Sequence, residues 1–255
     1  MTHTAAAAGF DMVPPTGRGR SFATRRRVRL GDATPHGRMR LDAMARFLQD
    51  VSNDDSRDAE WSDPHWWVVR RTVLDVAIFP TYLQEVDIVT WCGGTGTHWA
   101  ERRTRMSAID GTPLVDAAAL WVHIDSDKMQ PSRIPDDVLP MLSESAEGRR
   151  IGARLLLKAV DFPTSEAVAS PWVLRFSDFD AVGHMNNAAY WEVVEEQLAS
   201  HRSLRAPMRA IVEHIVEVEP GAALTAAVVV DGDVSVQMRV GDVVHAAAWA
   251  GPLTP

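Results

Sequence analysis

The sequence predicts an α+β protein made of two tandem copies of one unit, each an antiparallel sheet wrapped around a long central helix. Two observations carry this prediction. The order of a short strand, an amphipathic helix and several further strands occurs twice along the 255 residues. One set of residues also recurs at a constant separation, in each copy between the strand and the helix: Arg27, Asp32, Ala33 and His36 return as Arg175, Asp180, Ala181 and His184.

The first copy begins with a weakly alternating strand over residues 25–30. A helix follows, because Met44, Phe47, Leu48 and Val51 fall at i, i+3, i+4 and i+7 on one apolar face. The polar run 52–56 predicts the end of this helix. Four strands are then predicted over residues 66–79, 85–91, 98–109 and 114–124, with turns at 93–96 and 110–111.

A proline-rich stretch over residues 125–170 separates the two copies. It predicts a connector with one helical turn near 136–139 that Pro140 stops. The second copy then repeats the order, with a strand over 172–176, a polar loop over 177–187 and a helix. The apolar stripe of that helix and the four strands after it are as follows: Tyr190, Trp191, Val194 and Leu198, then 207–218, 222–230, 234–240 and 243–249. The predicted divisions are a flexible tail (1–20), a first domain (21–128), the connector (129–170) and a second domain (171–255).

Composition excludes several classes of protein. The chain is 46% hydrophobic, enough to order a core, and no apolar run approaches the roughly 20 residues that span a bilayer. The formal net charge of −8 argues against a general nucleic-acid binder. The arginines nevertheless cluster at 25–27, 102–105 and 149–150, where an acidic partner could dock.

The single cysteine, Cys92, excludes an intramolecular disulfide and a zinc site built on several thiolates. This cysteine usage fits a reducing, cytoplasmic location. Cys92 lies in an apolar strand-like run, so we expect it in the core rather than at a reaction centre. The first 20 residues lack the apolar stretch of a secretory signal.

The loop before the second helix carries the residues suited to chemistry. Asp180 could activate a water molecule, and His184 could orient or polarise a substrate. Gly183 allows close approach to the backbone, and Asn186 or Asn187 can cap the helix. The free N–H groups at the helix start would stabilise an oxygen that gains negative charge. The alternative is a capping loop without chemistry.

These residues also carry a resemblance to a known family. The pattern Asp180-x3-His184-x-Asn186-Asn187-x2-Tyr190 resembles the helix-start motif of hotdog-fold thioesterases. The two-copy layout resembles the plant-type and bacterial acyl-acyl-carrier-protein thioesterases. Further similarity lies in residues 78–82 with 86–91, and in 119–122 with 132–138, so that the resemblance covers roughly residues 28–250.

The resemblance implies a thioesterase that hydrolyses fatty acyl groups on acyl carrier protein to free fatty acid. It implies that Asp180, His184 and Glu217 are catalytic, and that the helix start at Gly183, Asn186 and Asn187 binds substrate. Val182 stands where the family has an asparagine, and we expect it to pack against the acyl chain or the helix.

The resemblance further implies that the first copy supplies the acyl pocket. There Asp32 and His36 would be a degenerate site, because Arg38 and Met39 stand where the second copy has Asn186 and Asn187. No metal and no redox cofactor is implied. An arginine cluster would dock the acidic carrier protein. Coenzyme A as the carrier, a hotdog hydratase or dehydratase, a non-catalytic acyl-thioester binder and a homodimer stay open.

Overall fold

The computed structural model describes residues 10–60, 66–125, 127–157, 162, 164–201 and 204–253. What we call the first half contains β1 (Ser21–Arg27), α1 (Leu41–Asp58), β2 (Trp66–Val76), β3 (Glu85–Thr95), β4 (Trp99–Ala108) and β5 (Pro113–Asp125). A connecting segment holds β6 (Gln130–Pro131) and α2 (Leu139–Ser145). The second half contains β7 (Val168–Trp172), α3 (Ala189–Ser200), β8 (Met208–His214), β9 (Leu224–Asp231), β10 (Asp233–Val240) and β11 (Val243–Pro252).

The strands form one antiparallel sheet in the order β1-β3-β4-β5-β2-β8-β11-β10-β9-β7, with the short β6 beside β5. Read inward from each edge, the two halves have the same strand order. They meet at the antiparallel pair β2–β8, where Arg71 lies opposite Glu213 and Val76 lies opposite Met208. The α+β prediction with a large antiparallel sheet is therefore confirmed.

Helices α1 and α3 contact each other and contribute to one buried core with the inward-facing strand residues. Met44, Val51 and Trp191 are almost fully buried in it, as the helical stripes predict. Val212 of β8 faces this core, whereas its neighbours Ile211 and Glu213 face the other side. That outer side is covered where the connecting segment crosses it. No helix within the described ranges is long and apolar enough to span a membrane.

The prediction that the first helix ends within residues 52–56 is wrong, because α1 continues to Asp58. The Ser52 hydroxyl donates to the Leu48 carbonyl oxygen at 2.7 Å, so this polar side chain is satisfied on the helix itself. Asp55 accepts hydrogen bonds from Arg20 at 2.9 Å and Arg102 at 2.5 Å. These distant arginines stabilise a carboxylate that the local sequence indicates as a helix end.

Two further predictions of local structure are wrong. Pro140 lies in the first turn of α2 rather than ending a helix, since proline needs no N–H partner there. Gly94 belongs to β3, beside a register shift, and not to a turn. Within the segment predicted as a flexible tail, the Phe10 ring lies 5.0 Å from the guanidinium carbons of Arg71 and Arg103, whereas residues 14–19 are exposed. Residues 1–9 lie outside the described ranges.

Cys92 is a core residue, as predicted. It is buried in a small apolar cluster under the connecting segment. Burial raises the pKa of its thiol to about 11, so the thiol stays protonated at neutral pH.

Candidate active site

A tight turn brings Asp180, Gly183 and His184 together ahead of α3. The Asp180 N–H donates to the His184 carbonyl oxygen at 3.1 Å, and the Gly183 N–H donates to the Asp180 carbonyl oxygen at 3.0 Å. Gly183 has φ of 94°, a conformation that favours glycine. The sequence therefore folds this loop locally, which is why its residues could be recognised as a group.

The Asp180 carboxylate is exposed and held from both of its oxygens. Oδ1 accepts the Val182 N–H at 3.0 Å, and Oδ2 accepts the side-chain amide of Asn186 at 3.1 Å. The other side-chain atom of Asn186, Oδ1, accepts the Ala188 N–H at 2.8 Å. Asn186 thus orients Asp180 and closes a turn just before α3. The helix itself has Ala188 at its N-cap and no side-chain cap among the described residues, so the prediction that Asn186 or Asn187 caps it is wrong.

The segment containing Glu217 lies against this loop, because the Met185 N–H donates to the Val218 carbonyl oxygen at 2.9 Å. Glu217 itself is exposed. Its carbonyl oxygen is 2.8 Å from Nδ1 of His245, which must donate in that contact. The other nearby glutamate, Glu213, points to the outer side, where it accepts the backbone N–H groups of residues 156 and 157.

Tyr190, for which the sequence predicts only a place in the apolar stripe of the second helix, lies beside the candidate site. It is almost fully buried in the first turn of α3. Burial is the main cause that raises the pKa of Tyr190 to about 12, and the nearby charges of Glu217 and Asp180 contribute to the rise. Both predicted carboxylates therefore lie within electrostatic range of this one phenol group. Its place in the helix-start pattern was the signal that could have identified it.

Two spaces flank the loop. A small cavity of about 20 Å³, enough for one water molecule, lies between the halves. Asn187 and Trp191 line it from the second half, and Leu48, Gln49, Thr72 and Arg102 line it from the first. A wider groove of about 730 Å³ lies on the second half and is lined by Asp180, Gly183 and Phe176.

Val182 is not buried against α3, one of the two places expected for it. Its side chain is 62% exposed at the tip of the turn. The expectation rested on the apolar neighbours Phe179 and Ala181, but the turn points the side chain toward solvent.

The predicted correspondence between the two copies is also wrong, by two residues. Isolated bridges join Ala33 to Met39 in the first half and Phe179 to Met185 in the second. Gly37 and Gly183 both have positive φ at the same place in these turns. This register makes Thr34 the counterpart of Asp180.

By the same register, Arg38 is the counterpart of His184 and Asp32 the counterpart of Asp178. Asp32 accepts the Arg29 N–H at 2.8 Å, and Asp178 accepts the Arg175 N–H at 2.7 Å, so both aspartates close a short 3-10 turn. The chance recurrence of Asp and His had suggested the wrong alignment. The first-half loop therefore has neither a carboxylate nor an imidazole at the positions equivalent to Asp180 and His184.

The arginine clusters have partners within the chain. Arg25 pairs with Asp87 at 2.6 Å, and Arg103 pairs with Glu101 at 2.6 Å. The remaining pairs follow the same pattern: Arg26 with Asp50 and Asp54, Arg27 with Glu85, Arg102 with Asp55, Arg105 with Asp116, and Arg149 with Glu101.

Comparison with solved structures identifies the fold as that of hotdog thioesterases. The 12:0-ACP thioesterase from Umbellularia californica aligns with a TM-score of 0.73 at 19% identity, covering 91% of this chain and 96% of that one. An acyl-ACP thioesterase from Bacteroides thetaiotaomicron aligns with a TM-score of 0.73 at 14% identity, covering 98% and 99%.

The family follows from the sequence itself. Residues 19–142 match the acyl-ACP thioesterase N-terminal domain, and residues 163–242 match the C-terminal domain. The chain belongs to the acyl-ACP thioesterase family, and the family and the fold together define a thioester hydrolase. An uncharacterized protein of Mycobacterium tuberculosis is 32% identical over 231 residues, which cover 89% of this chain and 90% of that protein.

Proposed function

We propose that this thioester hydrolase releases free fatty acid from acyl groups carried on acyl carrier protein. The observation that carries the proposal is the Asp180 carboxylate, oriented by Asn186 at the start of α3 and accompanied by Glu217. The 12:0-ACP thioesterase of similar fold supports the carrier protein as the substrate's thiol component.

We further propose two tandem hotdog domains, at residues 21–128 and 171–255, with the reaction in the second. The repeated strand order supports this division. The register of the loops supports the assignment of the chemistry, because Thr34 and Arg38 replace Asp180 and His184 in the first half. A cytoplasmic location fits the unpaired, buried Cys92.

The proposed reaction is hydrolysis with Asp180 as the general base. Asp180, assisted by Glu217, takes a proton from water, and the water oxygen bonds to the thioester carbonyl carbon. The carbonyl oxygen becomes negative and is stabilised by the N–H groups at the start of α3 and by His184. The carbon–sulfur bond then breaks, and the proton passes to the departing thiolate.

The two spaces beside the loop suit the two arms of a thioester. The cavity that reaches into the first half from Asn187 is the proposed start of the acyl pocket. The groove beside Asp180 and Gly183 is open, and its volume of about 730 Å³ suits the carrier's flexible arm. The reacting carbonyl would then lie between them, at the helix start.

A steady-state assay tests the proposal. We expect thiol release from acyl-acyl-carrier-protein, with kcat/KM at least tenfold above that for the coenzyme A thioester of the same acyl group. Equal or reversed preference would assign coenzyme A as the carrier. A change in enoyl absorbance without thiol release would indicate a hydratase or dehydratase, and tight binding without either signal would indicate a non-catalytic binder.

A further inference from the structure

In the first half, a carboxylate from the second half accepts a backbone N–H at the start of the helix. Oε2 of Glu195 on α3 accepts the N–H of Leu41, the first residue of α1, at 3.0 Å. Its two oxygens also bind the Arg38 guanidinium at 2.6 and 3.2 Å. Glu195 is buried, so this is an interior contact that occupies the place where a helix start attracts negative charge.

The matching turns of the two halves show which residues of the second half are equivalent to Leu41 and Glu195. The Thr34 N–H donates to the Arg38 carbonyl oxygen as the Asp180 N–H donates to that of His184. In the same register exposed Asp50 matches exposed Glu196 within the helices, and α3 begins at Ala189, two residues after the counterpart of Leu41. The register makes Asn187 the counterpart of Leu41 and Gln49 the counterpart of Glu195.

The second half lacks the internal carboxylate. Gln49 is half-buried on α1 and lines the small cavity together with Asn187 and Trp191. Among the described residues, no acceptor is hydrogen-bonded to the Asn187 N–H. The second half therefore has no described equivalent of the contact between Glu195 and the Leu41 N–H, and Asn187 lies at the cavity wall.

We propose that Gln49 binds the substrate's thioester carbonyl oxygen, together with the Asn187 N–H, across the interface between the halves. The inference rests on the proposed function and adds to it a binding residue contributed by the first half. An ionised glutamate only accepts hydrogen bonds, whereas the Gln49 amide can donate one to an oxygen that gains negative charge. With glutamine at position 49 the Asn187 N–H stays available to substrate, whereas Glu195 occupies the equivalent Leu41 N–H in the first half.

Two substitutions test this assignment. Gln49→Glu places a carboxylate where it accepts the Asn187 N–H, as Glu195 accepts that of Leu41. We expect kcat/KM to fall about 100-fold, the typical effect of losing a carbonyl-oxygen donor. We expect activity to recover partly at acid pH, where the new carboxyl group is protonated. Gln49→Leu should lower kcat/KM similarly but without this recovery.

The control is Gln197→Glu, the same change at a half-buried position on α3 that does not line the cavity. It should retain wild-type kinetics and pH dependence. Folded Gln49→Glu and Gln49→Leu proteins with kcat/KM within threefold of wild type would overturn the assignment. A purely structural role for Gln49 predicts lowered melting temperatures with an unchanged pH profile, and would overturn it as well.

A binding measurement separates this inference from the proposed function. The probe is a ketone analogue of acyl-coenzyme A, in which a methylene group replaces the thioester sulfur. If wild type cleaves no thioester, the proposed function fails. The Gln49 assignment then depends on calorimetric binding, with at least tenfold weaker binding expected for Gln49→Glu. Active wild type with equal analogue affinity in both proteins would defeat the Gln49 assignment alone.

Discussion

The imidazole ring of His214 lies edge-on against the phenol ring of Tyr190, with the centroids 4.8 Å apart and the planes at 83°. Both ring nitrogens of His214 are buried and lack a hydrogen-bond partner among the described residues. Burial, together with the nearby Arg70 charge, lowers the pKa of His214 to about 3. The core beside the candidate site thus contains a neutral imidazole.

This buried histidine makes stability depend on pH. The ordinary pKa of histidine is about 6.5, so between pH 6.5 and 3 the unfolded chain binds a proton that the folded chain excludes. Above pH 6.5 His214 is neutral in both states and leaves the free energy of unfolding unchanged. Below pH 6.5 protonation of the unfolded chain lowers the free energy of unfolding steadily toward pH 3. We predict that His214→Phe flattens this dependence. Urea unfolding should show wild type losing about 2 kcal/mol more than the variant between pH 7 and pH 5.

At pH 7 the same variant should be at least as stable as wild type, because the substitution removes two unsatisfied nitrogens and no hydrogen bond. If the free energy of unfolding has the same pH dependence in both proteins, His214 takes up a proton as readily in the folded chain as in the unfolded chain, which contradicts the lowered pKa.

The contact between Arg38 and Glu195 predicts that removing the Glu195 side chain from α3 destabilises the start of α1. Glu195→Ala leaves Arg38, which is 26% exposed, and the Leu41 N–H without their acceptor. Removing one partner of such a pair should cost about 2–4 kcal/mol, measured by chemical unfolding. Glu196→Ala alters the exposed neighbour and should stay within about 0.5 kcal/mol. Similar costs for both would show that the ion pair is not stabilising.

The roles of Asp180 and Asp178 separate catalysis from structure. Asp180 is exposed, so Asp180→Asn should lower kcat about 100- to 10,000-fold with little change in melting temperature. Asp178 is buried and caps its turn through the Arg175 N–H. Asp178→Asn should therefore lower the melting temperature first. Near-wild-type kcat in folded Asp180→Asn would transfer the general-base role to Glu217.

Much of the fold could be predicted because its signals are local. Alternating strands, tight turns and the stripes of α1 and α3 each lie within a few consecutive residues. The end of α1 could not be predicted, because Asp55 is stabilised by Arg20 and Arg102 from distant parts of the chain. Pairing over such distances leaves no local trace.

The same distinction holds for the candidate site. The residues from Asp180 to Asn187 were recognised because one turn holds them, whereas Gln49 reaches the site only through the packing of α1 on α3. The correspondence between the copies was misread because residue identity was matched. The backbone conformation at Gly37 and Gly183 gives the register, and it is not visible in a single sequence.

The corrected register strengthens a predicted asymmetry between two histidines. His184 lies in the turn beside Asp180, whereas His36 is exposed at the position equivalent to Val182. We predict that His184→Ala lowers kcat/KM at least tenfold and that His36→Ala leaves it unchanged. Steady-state thiol release on both folded proteins measures this. Equal losses would contradict the division of labour between the halves.

Val182→Asn tests the position where the resembling family has an asparagine. Because Val182 is 62% exposed, the new amide meets water and should change the free energy of unfolding by no more than about 0.5 kcal/mol. The Val182 N–H binds Asp180, so the amide would stand beside the proposed base. One added hydrogen bond to the reacting water is worth about 1 kcal/mol, so we expect kcat to rise several-fold.

Val243→Asn is the matched control for this substitution, because Val243 is 52% exposed at the start of β11 and does not line the groove beside Asp180. It should leave both kcat and the melting temperature unchanged. A melting temperature lowered only in Val182→Asn would show that Val182 packs when substrate is absent. A lowered kcat with unchanged melting would show that an apolar side chain is needed beside the reacting carbonyl, and that this chain departs from the asparagine-dependent version of the site.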